Sequence, residues 1–416
     1  MDLHPYGTGA AIWPDVARFL PDELLAEIAV DAPTADLDGR PAAKSLELLR
    51  TADWPGLPVP SEFQGRGATL QECCAGQLRL ATADPALAIA VNMHLFSVGL
   101  MVEHWRRRTD VSWLLLEAIA AQRRLLASAF AEPNLGGSVS RSTLLARPAP
   151  DGYLVSGTKR PCSLAAEADL VSFQVEMDTG RGRDVMVALL PTNAPGLTVQ
   201  RSWDALGMRG SGSDTLVFTD CHVPEELVFY RAPAGDEDDD VLAAGVVWFS
   251  LTASACYLGV ARAAVSAARQ LLARGVLHHL GVERARVPSY QGVVGAQVAS
   301  LLTLEAACAQ LAGQLDAGVA PQAVLPACLA VKQQTMDVVP AAVGALAEAC
   351  GGVAYSRLAP LERLWRDAQA VRFHPPTRLP TLQYLGRSAL GLPAHLDLDE
   401  NAPRLTEELA RTGEGE

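Results

Sequence analysis

Seven short apolar or alternating runs follow one another between Thr143 and Phe229, with no helix-length segment between them. They are Thr143–Ala146, Tyr153–Gly157, Leu170–Val175, Val185–Leu190, Leu197–Val199, Thr215–Phe218 and Leu227–Phe229. Parallel neighbours need a crossover of about a dozen residues or more. This spacing therefore predicts an antiparallel sheet or barrel of roughly 100 residues, not a doubly wound fold. Asp151-Gly152, between the first two runs, is a hairpin signal.

Both flanks read as helix. Pro21-Asp22-Glu23-Leu24 opens one, with acidic residues where the helix dipole favours them. Leu70–Thr82 and Ala86–Arg107 continue, and the Pro/Gly-rich stretch Trp54–Gly67 reads as loop. After the sheet, Val246–Arg274, Tyr290–Leu315, Gln322–Ala349 and Leu361–Val371 predict a bundle of four long helices. The chain thus reads as α+β. Residues 1–125 form an N-terminal α-helical domain, 126–235 a middle antiparallel β domain and 236–400 a C-terminal four-helix bundle, followed by a flexible acidic tail at 401–416.

The net charge of -13 over 416 residues argues against a nucleic-acid partner. The acidic run Asp236–Asp240 reads as a solvated loop. The longest apolar stretch, about Val241–Ala268, carries Ser250, Thr252, Ser254 and Arg262, so it reads as a buried helix and not a membrane span. Eight cysteines include no CxxC pair, which gives no metal motif and predicts reduced core thiols in a cytoplasmic protein. The N-terminus shows no signal-peptide pattern.

Three segments carry the chemistry. Phe130-Ala131-Glu132-Pro133-Asn134-Leu135-Gly136-Gly137-Ser138 makes a tight turn that lets backbone approach a ligand. Gly157-Thr158-Lys159 followed by Cys162-Ser163 ends a strand with a hydroxyl available to a ring nitrogen. Leu206-Gly207-Met208-Arg209-Gly210-Ser211-Gly212-Ser213 is a small-residue loop whose N–H groups and hydroxyls suit a phosphate or flavin.

In this order and spacing the three segments resemble the β-domain signature of the acyl-CoA dehydrogenase superfamily. Cys350-Gly351-Gly352, Trp365-Arg366-Asp367-Ala368 and Gly386-Arg387 resemble its last helices, so the similarity spans about 70 to 391. The resemblance implies a homodimer or homotetramer holding FAD between the β domain and a neighbour's bundle. It implies that Ala131, Gly137, Ser138, Cys162 and Ser163 lie at the flavin, with Ser163 beside N5. Ala131 stands where the family commonly has a hydroxyl, and Gly351 and Gly352 match the Gly-Gly that passes the adenine side from a second subunit. Thr377 matches the Thr after the catalytic Glu-Gly pair, and Arg274 is taken for the pyrophosphate ligand. Arg209, Ser211, Ser213 and Phe249 are expected near the substrate.

The family's catalytic Glu is missing. Its position, eight or nine residues after Arg366-Asp367, falls at Pro375 within Phe373-His374-Pro375-Pro376-Thr377. The alternative site on the first bundle helix falls around Trp248-Phe249-Ser250, again without a carboxylate. His374 is the available acid/base substitute. His374, Ser163 and His94, the last within Asn92-Met93-His94-Leu95, are the candidate catalytic residues. They resemble the Ser and two His residues that serve oxygen chemistry in the flavin monooxygenases of this fold. On an apolar helix, however, His94 equally reads as a satisfied core histidine. The favoured reading is dehydrogenation of an acyl thioester, on CoA or a carrier protein, with a non-standard base and a separate electron acceptor. The alternative is a monooxygenase supplied with reduced FAD or FMN by a reductase. A catalytically silent homologue is a second alternative.

Overall fold

The computed structural model describes residues 12–397 except 134, 136, 137, 139, 237, 238 and 358. Five helices come first: α1 (Asp22–Asp38), α2 (Ala43–Thr51), α3 (Leu70–Ala83), α4 (Pro85–Arg108) and α5 (Trp113–Ala121). Local chemistry sets their ends. Thr69 and Glu72 form a reciprocal capping box at the start of α3. Asp84 accepts the N–H groups of Ala86 and Leu87 to cap α4, and Pro85 occupies its first turn, where no N–H is needed.

Eight strands follow: β1 (Leu126–Ala129), β2 (Leu145–Ala149), β3 (Gly152–Cys162), β4 (Leu170–Asp178), β5 (Arg183–Pro191), β6 (Leu197–Gln200), β7 (Asp214–Pro224) and β8 (Val228–Pro233). They form one sheet in the order β6-β7-β3-β2-β4-β5-β8, with β1 also on β4. The sheet is mixed and not wholly antiparallel. β1 pairs in parallel with the first half of β4, and β2 in parallel with its end. The crossover that parallel pairing requires is supplied by strands themselves, since the β2–β3 hairpin lies between β1 and β4 in the chain.

The C-terminal helices are α6 (Asp240–Arg274), α7 (Pro288–Asp316), α8 (Pro321–Cys350), α9 (Pro360–Gln369) and α10 (Arg378–Ala389). A small hairpin of β9 (Val276–Leu277) and β10 (Val282–Glu283) separates α6 from α7. Three helices of this group are long, and α9 has 10 residues where the sequence predicts another long one. The acidic run contributes structure instead of ending as loop: Asp239 caps α6 and pairs with Arg108. α6 is apolar on nearly every side and packs against α3, α4 and α8, so it forms the centre of the helical mass. Its crossing with α4 depends on Gly99, where a Cβ would lie 2.4 Å from the Trp248 ring. All eight cysteines are buried and free.

Candidate active site

A cavity of about 630 Å3 opens where the sheet meets the helices. The ends of β1 and β3 and the 203–213 loop form one wall. α4 and α6 add Ile89, Met93, Phe96, Val246 and Phe249 as an apolar wall. The end of α9 and the 370–377 turn close the third side. A volume in this range suits a ligand of cofactor size.

The loop wall is locked to α9 by close approach. At Gly207 a Cβ would lie 2.2 Å from the Arg366 carbonyl oxygen. Met208, at φ 51°, donates its N–H to Asp367 Oδ1 at 2.6 Å. Beyond this fold of the loop, three hydroxyls form a chain. Ser163 Oγ lies 2.8 Å from Ser213 Oγ, which lies 2.7 Å from Ser211 Oγ. All three line the cavity, as does Ser138, whose buried Oγ has no partner among the described residues. Buried hydroxyls are ordinarily paired, so an orphan facing a cavity marks a ligand contact. Apolar walls, a hydroxyl chain and this orphan fit an isoalloxazine ring.

Glu132 is the sole carboxylate among the described lining residues, and it is fully engaged. It pairs with buried Lys159 and accepts from Ser142 Oγ and from the Thr143 N–H and hydroxyl. Burial pushes its carboxyl up, but the Lys159 ammonium outweighs this and holds it below its ordinary value.

His374 lies half-buried on the turn after α9. Its Nδ1 is 2.7 Å from the hydroxyl of Tyr257 on α6, and the Phe249 ring stands edge-on to it at 6.4 Å. Lys332, fully buried on α8, donates to the carbonyls of Val371 and His374, both at 3.2 Å. Burial, reinforced by the nearby Lys332 charge, lowers the imidazole to about 3, so the ring is neutral. Burial pushes the Tyr257 phenol well up, so it keeps its proton.

The cavity brings together Ala131, Ser138, Ser163 and Thr377 from the flavin expectations. From the substrate and catalytic expectations it holds Ser211, Ser213, Phe249 and His374. Gly137 falls outside the described residues. The expectations for His94, Arg209 and Cys162 are corrected. His94 is a core residue: Nε2 lies 2.9 Å from the Pro55 carbonyl oxygen, and Nδ1 accepts the Leu126 N–H at 3.1 Å. With both nitrogens committed and its imidazole lowered by burial to about 4, it is a neutral strut between loop and sheet. Its neighbour Met93 lines the cavity instead, because successive helical residues point about 100° apart. Arg209 faces away, bonded to the Asp36 carbonyl and to Asp204. Cys162 is buried beside the cavity, not on it, its thiol pushed up to about 12 by burial. Arg274, Gly351 and Gly352 are exposed and lie outside this chain's own cavity, on the surface where the contact with a second subunit's cofactor that the resemblance implies for the two glycines would have to form. Arg284, not Arg274, reaches the Gly-Gly turn, donating to the Cys350 carbonyl at 2.7 Å. Arg160, Trp203, Tyr257 and Lys332 were not singled out by the sequence. Tyr257 and Lys332 sit inside apolar helical runs, where nothing local distinguishes them.

The sequence profile of the acyl-CoA dehydrogenase middle domain matches residues 127–221, and that of a C-terminal domain of the same family matches 251–378. L-evernosamine nitrososynthase of a Micromonospora species is 30% identical over 384 residues, covering 89% of this chain and 88% of that protein. The chain belongs to the acyl-CoA dehydrogenase family. It is a flavin-dependent oxidoreductase, in a family that uses FAD and whose structural neighbours hold FMN. Isobutylamine N-hydroxylase of Streptomyces viridifaciens is 29% identical over 348 residues, 82% of this chain and 87% of that one. KijD3, solved with FMN and a dTDP-linked amino sugar, superposes with a TM-score of 0.81 at 25% identity, covering 94% of this chain and 96% of its own. FMN-bound TdsC of Paenibacillus sp. A11-2, at 23% identity, shares the fold with a TM-score of 0.81, covering 90% of this chain and 97% of its own.

Proposed function

We propose that the chain is a reduced-flavin monooxygenase that hydroxylates the amine nitrogen of a small substrate. The observation that carries this is the state of the would-be base. Removing an α-proton requires a group basic near neutral pH. Pro375 stands at the family's Glu position, Glu132 is consumed by Lys159, and His374 is held at about 3. Such an imidazole is too weak a base for dehydrogenation, the reading the sequence favoured. As a neutral ring it is suited to donate or accept a hydrogen bond.

The cavity walls also favour nitrogen chemistry. Burial disfavours a charged amine, and no free carboxylate among the described lining residues would hold one as ammonium. An amine entering this space is driven toward its neutral form, whose lone pair is the nucleophile. A bound reduced flavin supplies two electrons to dioxygen. The balance is one oxygen atom to the nitrogen, giving a hydroxylamine, and the other to water with two protons. Ser138, the Ser163–Ser213–Ser211 chain and Thr377 would hold the ring, while Met93, Phe96 and Phe249 keep water from it. The nitrososynthase and the N-hydroxylase among the relatives support the same reading. A homo-oligomer would place Gly351 and Gly352 against a neighbour's cofactor, and a flavin reductase would be the electron partner.

The test is anaerobic mixing of flavin-loaded protein with acyl thioesters, set beside aerobic turnover of primary amines and amino sugars with NADH and a flavin reductase. The expected result is no bleaching by any thioester and a hydroxylamine or nitroso product seen by mass spectrometry. Bleaching by a thioester alone would overturn the proposal.

A further inference from the structure

We infer that Tyr257 is a positioning residue for His374: it holds the imidazole in the tautomer that carries its proton on Nε2 and presents that N–H to the cavity.

The inference follows from counting hydrogens. The Tyr257 phenol is fully buried and has one O–H, and its partner is His374 Nδ1 at 2.7 Å. If Nδ1 carried the ring proton, it would donate to the phenol oxygen. The buried O–H would then have no acceptor among the described residues, an arrangement proteins avoid. With the phenol donating, Nδ1 is the acceptor and the single proton of the neutral ring sits on Nε2. No described residue bonds Nε2, and His374 lines the cavity.

The ring is also prevented from swinging. Lys332 anchors the carbonyls on either side of the turn, at Val371 and at His374 itself. Each bond is an N–H donation that the lysine makes in either protonation state, and burial lowers its amine to about 7. Phe249 stands edge-on against one side of the imidazole, and Tyr257 lies tilted against it at 5.7 Å. Among the described residues, the groups recorded around His374 from the packed helices are one phenol, one phenyl ring and one amine, with no carboxylate. A neutral donor fixed this way stabilises negative charge developing in the cavity without first having to be protonated.

The kinetic side of this inference rests on the monooxygenase reading; the tautomer does not. The test is a two-bond proton–nitrogen correlation spectrum of flavin-loaded protein labelled with 15N-histidine, with His374 assigned by the signals lost in His374→Gln. The expected spectrum shows Nδ1 as an unprotonated acceptor and Nε2 bearing hydrogen, and Tyr257→Phe shifts both signals toward a tautomer mixture. A protonated Nδ1 in the parent, or unchanged His374 signals in Tyr257→Phe of parental flavin content and thermal midpoint, would overturn it. In turnover, Tyr257→Phe is expected to lower product formed per NADH by on the order of tenfold or more, with hydrogen peroxide released instead and KM unchanged. Unchanged coupling in that variant also overturns the positioning role. A protein with the expected spectrum that hydroxylates no amine refutes the proposed function and leaves the Tyr257 assignment standing.

Discussion

Glu132 and Lys159 show how one residue pair can decide chemistry without reacting. Both side chains are fully buried, and two hydroxyls and a backbone N–H complete the carboxylate's bonds. The pair removes from use the one carboxylate among the described lining residues and ties the 130–133 turn to β3 and to the segment just before β2. Glu132→Gln would leave Lys159 as an unpaired buried cation, which costs about 3–5 kcal/mol. Urea unfolding should record a loss of that size. The exposed pair Arg147–Asp220, with side chains 66% and 64% accessible, should lose no more than about 1 kcal/mol when broken. Equal losses at the two sites would refute the role assigned to burial here. At this scale the sequence identified the chemical types well and their directions poorly. His94 and Met93 are neighbours in the chain, yet only Met93 reaches the cavity.

Among the elements, α9 does most to shape the site. Arg366 makes a bidentate pair with Asp36 of α1 and bonds the Leu206 carbonyl, while Asp367 takes the Met208 N–H. The cavity loop is thus hung from a helix more than a hundred residues later in the chain. Burial raises the Asp367 carboxyl from its ordinary 3.8 to about 7. Between those values the folded protein retains a proton that the unfolded chain releases. Its contribution to stability is therefore complete below 3.8 and is lost as the pH rises through about 7. Asp367→Asn cannot titrate, so its unfolding midpoint should fall less than the parent's over that window. Parallel pH profiles would remove Asp367 as the cause. β1, α2, α5 and α10 were not singled out, whereas the longer helices and seven of the eight main-sheet strands were legible from hydrophobic period. The length of α6 was not, because Asp239, which starts it, belongs to an acidic run that looks like loop.

Across the whole molecule, apolar surface is unevenly spent. α4 and α6 are long and apolar enough to cross a membrane but bury that surface inside the protein, whereas α7 leaves most of its own outside. Tyr355, at 92% accessible, and Phe373, Leu379 and Leu390 add exposed apolar side chains to the C-terminal helices. Exposed apolar surface, where it gathers into a patch, ordinarily marks an interface. A second copy of the chain is the expected occupant, since the Gly351–Gly352 turn beside Arg284 lies outside the cavity of its own chain. Light scattering coupled to size exclusion should give twice or four times the single-chain mass. A single-chain mass at micromolar concentration would rule this assembly out.

The sequence by itself determined the helix–sheet–helix order, the family, the hydroxyls that line the cavity and the absence of the usual base. These are properties of spacing and residue type, readable without a partner. Tertiary structure alone decided that β1 and β2 run parallel to β4, that Glu132 is neutralised by Lys159, and that a buried phenol and a buried amine stand behind His374. Each of these depends on which distant segment supplies the hydrogen-bond partner. That is a matter of three-dimensional contact, and no periodicity in the chain encodes it.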